Sequence, residues 1–245
     1  MRGMSMADGT GATAVVLKPE AGAARVGRPN RGGVSAETIV AAAREAFAQV
    51  GYRKANLDVV AAALGVTRQA LYHYFPTKYR ILLTILEGYF DLMDEALARA
   101  VAGQRQPAAR FEAMLRMYFR VVAERPSDAV LMTREFALLP KPDQRRIRQR
   151  RRRVQDAFIR EYEAAQADGC FRAGPASVLV SLLLGSANWT PRWFKNEGRM
   201  TPERLGAFAQ EFLATAYRVE PARALGRAHP SVQPISTETR RKAGR

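Results

Sequence analysis

The chain is short of the residues from which reactive centres are built. Its 245 residues hold one cysteine, Cys170, and two histidines, His73 and His229. A lone thiol closes no intramolecular disulfide and suits a reducing compartment. Three scattered nitrogen and sulfur ligands do not make a transition-metal site, so no metal and no cofactor is expected. There is no GxSxG, no P-loop and no GxGxxG after a strand, and no carboxylate is framed by a motif. An enzymatic reading therefore has no residues to rest on. No apolar run of roughly 18 residues is present to span a bilayer, and no charged-then-apolar leader precedes a cleavage site. The expected setting is the cytoplasm, without a membrane. Acidic residues are scarce as well: 23 Asp and Glu against 39 Lys and Arg leave a net +16 and a pI near 10.8. That balance calls for a polyanionic partner, either nucleic acid or an anionic membrane surface.

Sequence punctuation divides the chain into four parts. Residues 1–33 are rich in Gly, Ala, Thr and Pro and read as a disordered basic arm carrying Arg25, Arg28 and Arg31. Residues 220–245, with Pro221, Pro230, Pro234 and the Arg240-Arg241-Lys242 cluster, read as a disordered basic tail. Between them the periodicity is helical throughout, with no alternating strand pattern. The fold class is all-α, with about nine helices: an N-terminal three-helix unit over 34–80 and a larger helical unit over 81–219.

Ser35 is placed to cap a first helix that ends at Gly51. Asn56 caps a short second helix to Leu64, Thr67 a third from Arg68 to about Phe75, and Thr77 a long fourth to about Ala102. Further on, Ser127 opens a helix to about Leu139, Pro142-Asp143 a long one to Asp168, Gly174-Pro175 an apolar one, and Thr201-Pro202 the last, to about Arg218.

The stretch LGVTRQALYHYFPTK, residues 64–78, carries the chemistry. A short helix, the turn Gly65-Val66-Thr67 and another helix make a helix-turn-helix. Leu71, Tyr74 and Phe75 are expected to face the first two helices. Arg68, Gln69, Tyr72 and His73 lie on the opposite face, where a cation, an amide, a phenol and an imidazole can reach base edges and phosphates in a major groove.

Residues 39–83 resemble the DNA-binding domain of the TetR/AcrR family of transcriptional regulators. The likeness rests on Ala43, Phe47, Gly51-Tyr52, Ala61, Gly65-Val66, Leu71-Tyr72, Tyr74-Phe75 and Lys78. Ala55-Asn56 stands where two hydroxyl residues are usual, and Tyr79 replaces an acidic residue. The resemblance implies that Thr67, Tyr72 and Lys78 touch phosphates, that Arg68, Gln69, Ala70 and His73 face bases, and that Asn56 belongs to the same DNA-binding set. It also implies a palindromic operator, a small-molecule effector and a homodimer formed through the last two helices. The function expected on this ground is a homodimeric repressor released from its operator by a small ligand. A ligand-independent regulator, an activator or a basic membrane-surface protein remain as alternatives.

The run 182–208 resembles family members with a Gly-x-x-Asn-Trp-x-x-Arg-Trp stretch, some of which respond to acyl-CoA thioesters. Here that stretch is Gly185, Asn188, Trp189, Arg192 and Trp193, with Pro191 replacing an aromatic residue; Pro191 is expected to kink or end its helix. The effector expected from this likeness is an acyl-CoA or another bulky apolar acid derivative. Candidate effector contacts are Met93, Met114, Tyr118, Arg151, Phe158, Asn188, Trp189 and Arg192. The apolar members read equally as core, and the tryptophans as anchors of a dimer interface. Residues 141–155 hold eight Lys and Arg with one Asp, a solvated face or a phosphate-binding patch. Arg151 alone falls on that helix's apolar stripe, where it either snorkels to the edge or pairs with something buried.

Overall fold

Local capping chemistry sets the helix starts. In the computed structural model, which describes residues 34–195 and 200–219, Ser35 sits in extended backbone. Its hydroxyl oxygen accepts from the Thr38 N–H at 3.3 Å, while the Ser35 N–H donates to the Thr38 hydroxyl at 3.1 Å. This reciprocal box opens α1, Ala36–Val50, which stops at Gly51 with φ 84. Asn56 accepts from Asp58 at 2.9 Å and opens α2, Leu57–Ala63. Gly65, at φ 68, turns the chain, and Thr67 caps α3, Arg68–Tyr74. Thr77 then caps α4, Lys78–Val101. The arm and the tail lie outside the described residues.

The second half adds α5 (Pro107–Glu124), α6 (Pro126–Arg134), α7 (Lys141–Ala167), α8 (Ala176–Trp189) and α9 (Pro202–Tyr217). The described residues thus form nine α-helices, joined by two short 3-10 turns and one isolated bridge between Phe171 and Arg218. The boundary expected at residue 80 falls inside α4, which packs on α1 as well as on α5, α6 and α7.

Two expectations need correction. The helix opened near Ser127 does not run to Leu139; it ends at Arg134, and Phe136–Leu138 restarts as a 3-10 turn. The break lets Arg134 and Glu135 turn back onto α1. Two carbonyls of the interrupted stretch, Ala137 and Leu139, are met by the Gln144 amide at 3.3 and 2.8 Å. Tyr74 does not join the core: Leu71 and Phe75, one turn apart, fill that site, and Tyr74 stays 43% exposed with its ring edge-on to His73.

Beyond the helix-turn-helix the core centres on Phe111. Its ring meets Phe158, Tyr162, Phe171 and Tyr217 with centroids 5.7, 5.3, 5.2 and 5.4 Å apart, in edge-to-face arrangements that favour aromatic packing. α9 lies close along α5. A Cβ at Gly206 would stand 2.5 Å from the Arg116 carbonyl oxygen, so only glycine permits that approach. Pro191 behaves as its missing N–H dictates: α8 ends at Trp189, and Thr190–Arg192 continue as a 3-10 turn.

Candidate nucleic-acid interface and effector cavity

The exposed face of α3 is held by its neighbours. Arg68, Gln69, Tyr72 and His73 are all solvent-facing. Arg68 donates to Asp58 of α2 at 3.2 Å and to the Tyr72 hydroxyl at 3.1 Å, and lies over the Tyr72 ring. The partner Asp58 is a feature the sequence did not single out. It holds the guanidinium beside the phenol, while Gln69 and His73 are exposed on the same helix. Thr67 uses an oxygen lone pair for its cap, which leaves its hydroxyl proton to donate. Asn56 likewise caps through its oxygen and keeps its amide hydrogens. Ala70 is half-buried at the start of the same helix.

Lys78 stands differently from the other expected phosphate contacts. Its ammonium donates to the carbonyls of Ala55 at 2.6 Å and Arg53 at 3.2 Å, and lies 4.8 Å from the Tyr52 ring centroid. Two of its three donors are thus spent on the α1–α2 loop. Burial pushes this amine below the usual lysine range, with Glu135 opposing. Lys78 is first a clamp on its own domain. Lys78→Ala should therefore lower stability by about 1–3 kcal/mol, since two carbonyls lose their donor. Urea denaturation measures this, and an unchanged midpoint would remove the clamp role.

Tyr79 explains its departure from the acidic residue usual there. Its hydroxyl donates to Asp143 in the first turn of α7, and Asp143 also pairs with Arg146 at 2.9 Å. Burial and the Asp143 bond push the Tyr79 phenol well up.

α6 joins α1 to the interior. Arg44 meets Asp128 at 2.5 Å, Ser127 donates to Glu45 at 3.2 Å, Arg134 donates to the Ala48 carbonyl at 3.1 Å, and the Tyr52 N–H donates to Glu135 at 3.2 Å. Another side of α6 supplies Ala129, Met132 and Thr133 to a cavity of about 380 Å³ between α4, α5, α7 and α8.

Four of the eight candidate effector residues line that cavity: Met93, Tyr118, Arg151 and Asn188. The Tyr118 hydroxyl donates to the Asn188 side-chain carbonyl at 3.0 Å. Arg151 lies over the Phe136 ring and has no carboxylate partner among the described residues. Burial pushes the Tyr89 and Tyr118 phenols up, opposed at Tyr118 by the Asn188 hydrogen bond and then the Arg151 charge, and at Tyr89 by the Arg151 charge. Arg151 thus takes the snorkelling position, with its stem on the apolar stripe and its head at the cavity wall.

The other four lie elsewhere. Phe158 is fully buried in the Phe111 cluster, because its stripe continues past the cavity into the core. Met114 lines a separate cavity of about 270 Å³. Trp189 is 56% exposed and carries the Arg192 guanidinium 4.2 Å above its ring, both outside the cavity because α8 ends there. The sequence missed Tyr89, Phe90, Met132, Thr133, Gln155 and Ser181 as lining residues. Each sits on an ordinary apolar or polar stripe, and only tertiary assembly distinguishes them.

The basic run of α7 is partly neutralised. Arg146 pairs with Glu87 at 2.6 Å, and Arg150 with Asp91 at 2.7 Å and Asp94 at 2.6 Å, all on α4. Arg152 and Arg153 are exposed and make no ion pair among the described residues. Large apolar side chains are also exposed on the last two helices: Val178 and Leu182 on α8 and Phe208 and Phe212 on α9 are 52%, 67%, 57% and 66% exposed. No helix among the described residues is long and apolar enough to cross a membrane.

Comparisons with known proteins agree with this layout. Residues 39–85 match the family model described as bacterial regulatory proteins, tetR family, and residues 104–217 the one described as tetracyclin repressor-like, C-terminal domain. The HTH-type transcriptional repressor KstR2 of Mycobacterium tuberculosis is 22% identical over 170 residues, covering 69% of this chain and 84% of the relative. The solved structure of ketosteroid transcriptional regulator KstR2 of Mycobacterium tuberculosis superposes with a TM-score of 0.71 at 19% identity, over 77% of this chain and 98% of that one. AibR, solved in complex with isovaleryl coenzyme A and operator DNA, superposes with a TM-score of 0.65 at 24% identity, over 72% of this chain and 96% of that one. These structural likenesses establish the fold.

Proposed function

Since the chain is a DNA-binding transcriptional regulator of the TetR family, not an enzyme, with that family's N-terminal helix-turn-helix and C-terminal helical domain, we propose that it is a homodimeric repressor released from a palindromic operator by a small ligand. One observation carries this reading: α6 lines the cavity with Ala129, Met132 and Thr133 and grips α1 with Asp128 and Arg134, while Glu135 just past its end holds the Tyr52 N–H just past α1. A ligand that displaces the cavity side of α6 displaces the helix on which the DNA-binding unit rests. Release then follows if the ligand binds the DNA-incompetent arrangement better than the competent one.

The ligand class is an acyl-CoA thioester or another bulky apolar acid derivative. The cavity has room for an acyl group, not for a whole coenzyme. Its wall offers Arg151, while the exposed Arg152 of α7 suits phosphates left outside. The isovaleryl coenzyme A bound by the similar protein AibR supports the same chemistry. The reader of sequence is α3: Arg68, Gln69, Ala70 and His73 face bases, with Thr67, Tyr72 and Lys78 on flanking phosphates.

A gel shift on operator fragments selected from a random library tests both halves. Gln69→Ala and His73→Ala should each lose about 1–3 kcal/mol of base discrimination and relax preference at one symmetric pair of positions. The effector should weaken the wild-type complex by about fivefold to 150-fold. Unchanged selection in both variants would reject the docking face. No release by any acyl-CoA or free acid would reject the effector class and leave the DNA reading intact.

A further inference from the structure

Two cavities lie in succession along the seam between α4 and α7. The first is lined on α4 by Tyr89, Phe90 and Met93, and on α7 by Arg151, Val154 and Gln155. The second begins on α4 at Asp94 and Leu97, and on α7 runs from Arg153 and Val154 to Arg160 and Glu161. Both helices pass from the first cavity to the second in the same chain direction. With a rise of about 1.5 Å per residue, the two sets of side chains stand roughly one turn apart on α7 and nearly two turns apart on α4. Among the described residues, Val154 alone belongs to both linings.

The cavities differ in chemistry and are each small. Polar groups converge on the first, with Tyr118 and Asn188 hydrogen-bonded at 3.0 Å and Arg151 at the wall. The second is walled by Leu97, Ala98, Val101, Met114 and Ala157 beside Val154, with the charged Asp94, Arg153, Arg160 and Glu161 completing its lining. Ligand sites usually enclose about 300–1,000 Å³. At about 380 Å³ the first is at the low end of that range, and at about 270 Å³ the second falls below it. Val154 is 6% exposed, and a β-branched side chain on a helix holds essentially one rotamer. The partition between the cavities is therefore fixed in width.

We propose that the second cavity is the tail subsite of the effector site, and that Val154 sets the length of apolar chain the protein accepts. The inference rests on the first cavity being the effector site. The head of a straight-chain acyl thioester sits against Tyr118, Asn188 and Arg151, and its chain passes Val154 to lie between Leu97 and Met114. A chain too short to reach Val154 gains nothing from the second cavity. A longer one gains about fourfold in affinity for each methylene it buries there.

Calorimetric titration of the 245-residue protein with butyryl-, octanoyl-, dodecanoyl- and hexadecanoyl-CoA tests this. Wild-type affinity should keep rising beyond the chain length at which Val154→Phe levels off, while Val154→Ala should move the plateau to longer chains. The ratio of hexadecanoyl to butyryl affinity should fall at least about tenfold in Val154→Phe, the equivalent of two or more buried methylenes. Ala157→Leu, at a half-buried position that lines only the second cavity, should truncate the profile in the same way. It keeps the test open should thermal melting show that Val154→Phe does not fold. Identical length profiles in wild type and variants would overturn the tail subsite and leave the effector site in place. Equal losses for butyryl- and hexadecanoyl-CoA would also overturn it, because the tail would not be what was lost. Binding of no thioester at all would remove the effector reading and this inference together.

Discussion

Arg44→Ala is expected to cost about 3–5 kcal/mol of folding stability at neutral pH, the usual loss when one partner of a buried ion pair is removed. Asp128 is only 2% exposed, and its main counterion is the Arg44 guanidinium at 2.5 Å. Burial pushes the Asp128 carboxyl above the usual carboxylate range, with the pull of Arg44 opposing. Desolvation thus outweighs attraction even in the intact pair. Without Arg44 the carboxylate is either left charged in the interior or neutralised by a proton. Replacing both residues together, by Arg44→Met with Asp128→Leu, should cost far less than the single change, since no charge is then stranded. Urea titrations of the two singles and the double, combined as a cycle, measure the coupling. A double variant as unstable as Arg44→Ala would show that the packing matters and the charges do not.

The pH dependence has a definite sign. An acid whose folded value lies above its unfolded one binds protons more readily when folded. Its contribution is greatest below the unfolded value of about 3.9 and declines as pH rises through the folded value. In Arg44→Ala the lowering partner is gone, so the folded value moves further up and the declining window extends toward neutrality. The deficit against wild type should therefore shrink at mildly acid pH. A deficit independent of pH would place the loss in side-chain packing.

The same pair joins α1 to the helix that lines the cavity, and so lies between the proposed effector site and the DNA-binding unit. Arg44 is on α1, and Asp128 is on the helix that also lines the cavity. The double apolar variant, if it folds, separates two things that the single variants confound. It keeps α1 against α6 but removes the charge that fixes their register. Operator binding that persists with a blunted effector response would assign the pair to transmission.

Legibility in the sequence followed the range of the interactions. Ser35, Asn56, Thr67, Thr77 and Thr201 all cap the helices expected of them, because a cap joins residues two or three apart. Gly51 and Gly65 take the positive φ that ends helices, again a local matter. Tyr74 was misplaced because spacing puts it near the Leu71–Phe75 face, and only the assembled core shows which two of the three are covered. The clamp formed by Lys78, the Asp58 partner of Arg68 and the grip of Glu135 on Tyr52 join distant segments and left no local trace. In the cavity, Arg151 stood out because a charge on an apolar stripe needs a reason. Tyr89, Phe90 and Met132 did not, because an apolar residue facing a cavity and one facing a neighbour look alike in sequence. Phe158 shows the converse error: it shares the stripe of Arg151 and belongs to the core.

The largest effect on DNA binding is expected far from α3, from Phe212→Asp. Phe208 and Phe212 stack with centroids 6.0 Å apart and an interplanar angle of 11°, and remain more than half exposed on α9. Val178 and Leu182 on α8 are exposed apolar side chains as well. Under the proposed dimer these residues cover one another across the two-fold axis. An aspartate at position 212 would then be buried beside its symmetry copy, two like charges in an apolar interface. The dimer should dissociate while the subunit, whose α9 is held through Leu205, Gly206, Ala209 and Tyr217, stays folded. A palindromic operator is read by two α3 helices one turn of DNA apart, so a monomer keeps only half of the base contacts and phosphates. Operator affinity should fall toward the non-specific level, at least about a thousandfold. Sedimentation and gel shift on the same preparation decide the matter. A monomer with wild-type operator affinity would refute the two-fold reading, and a dimer unaffected by Phe212→Asp would move the interface off α9.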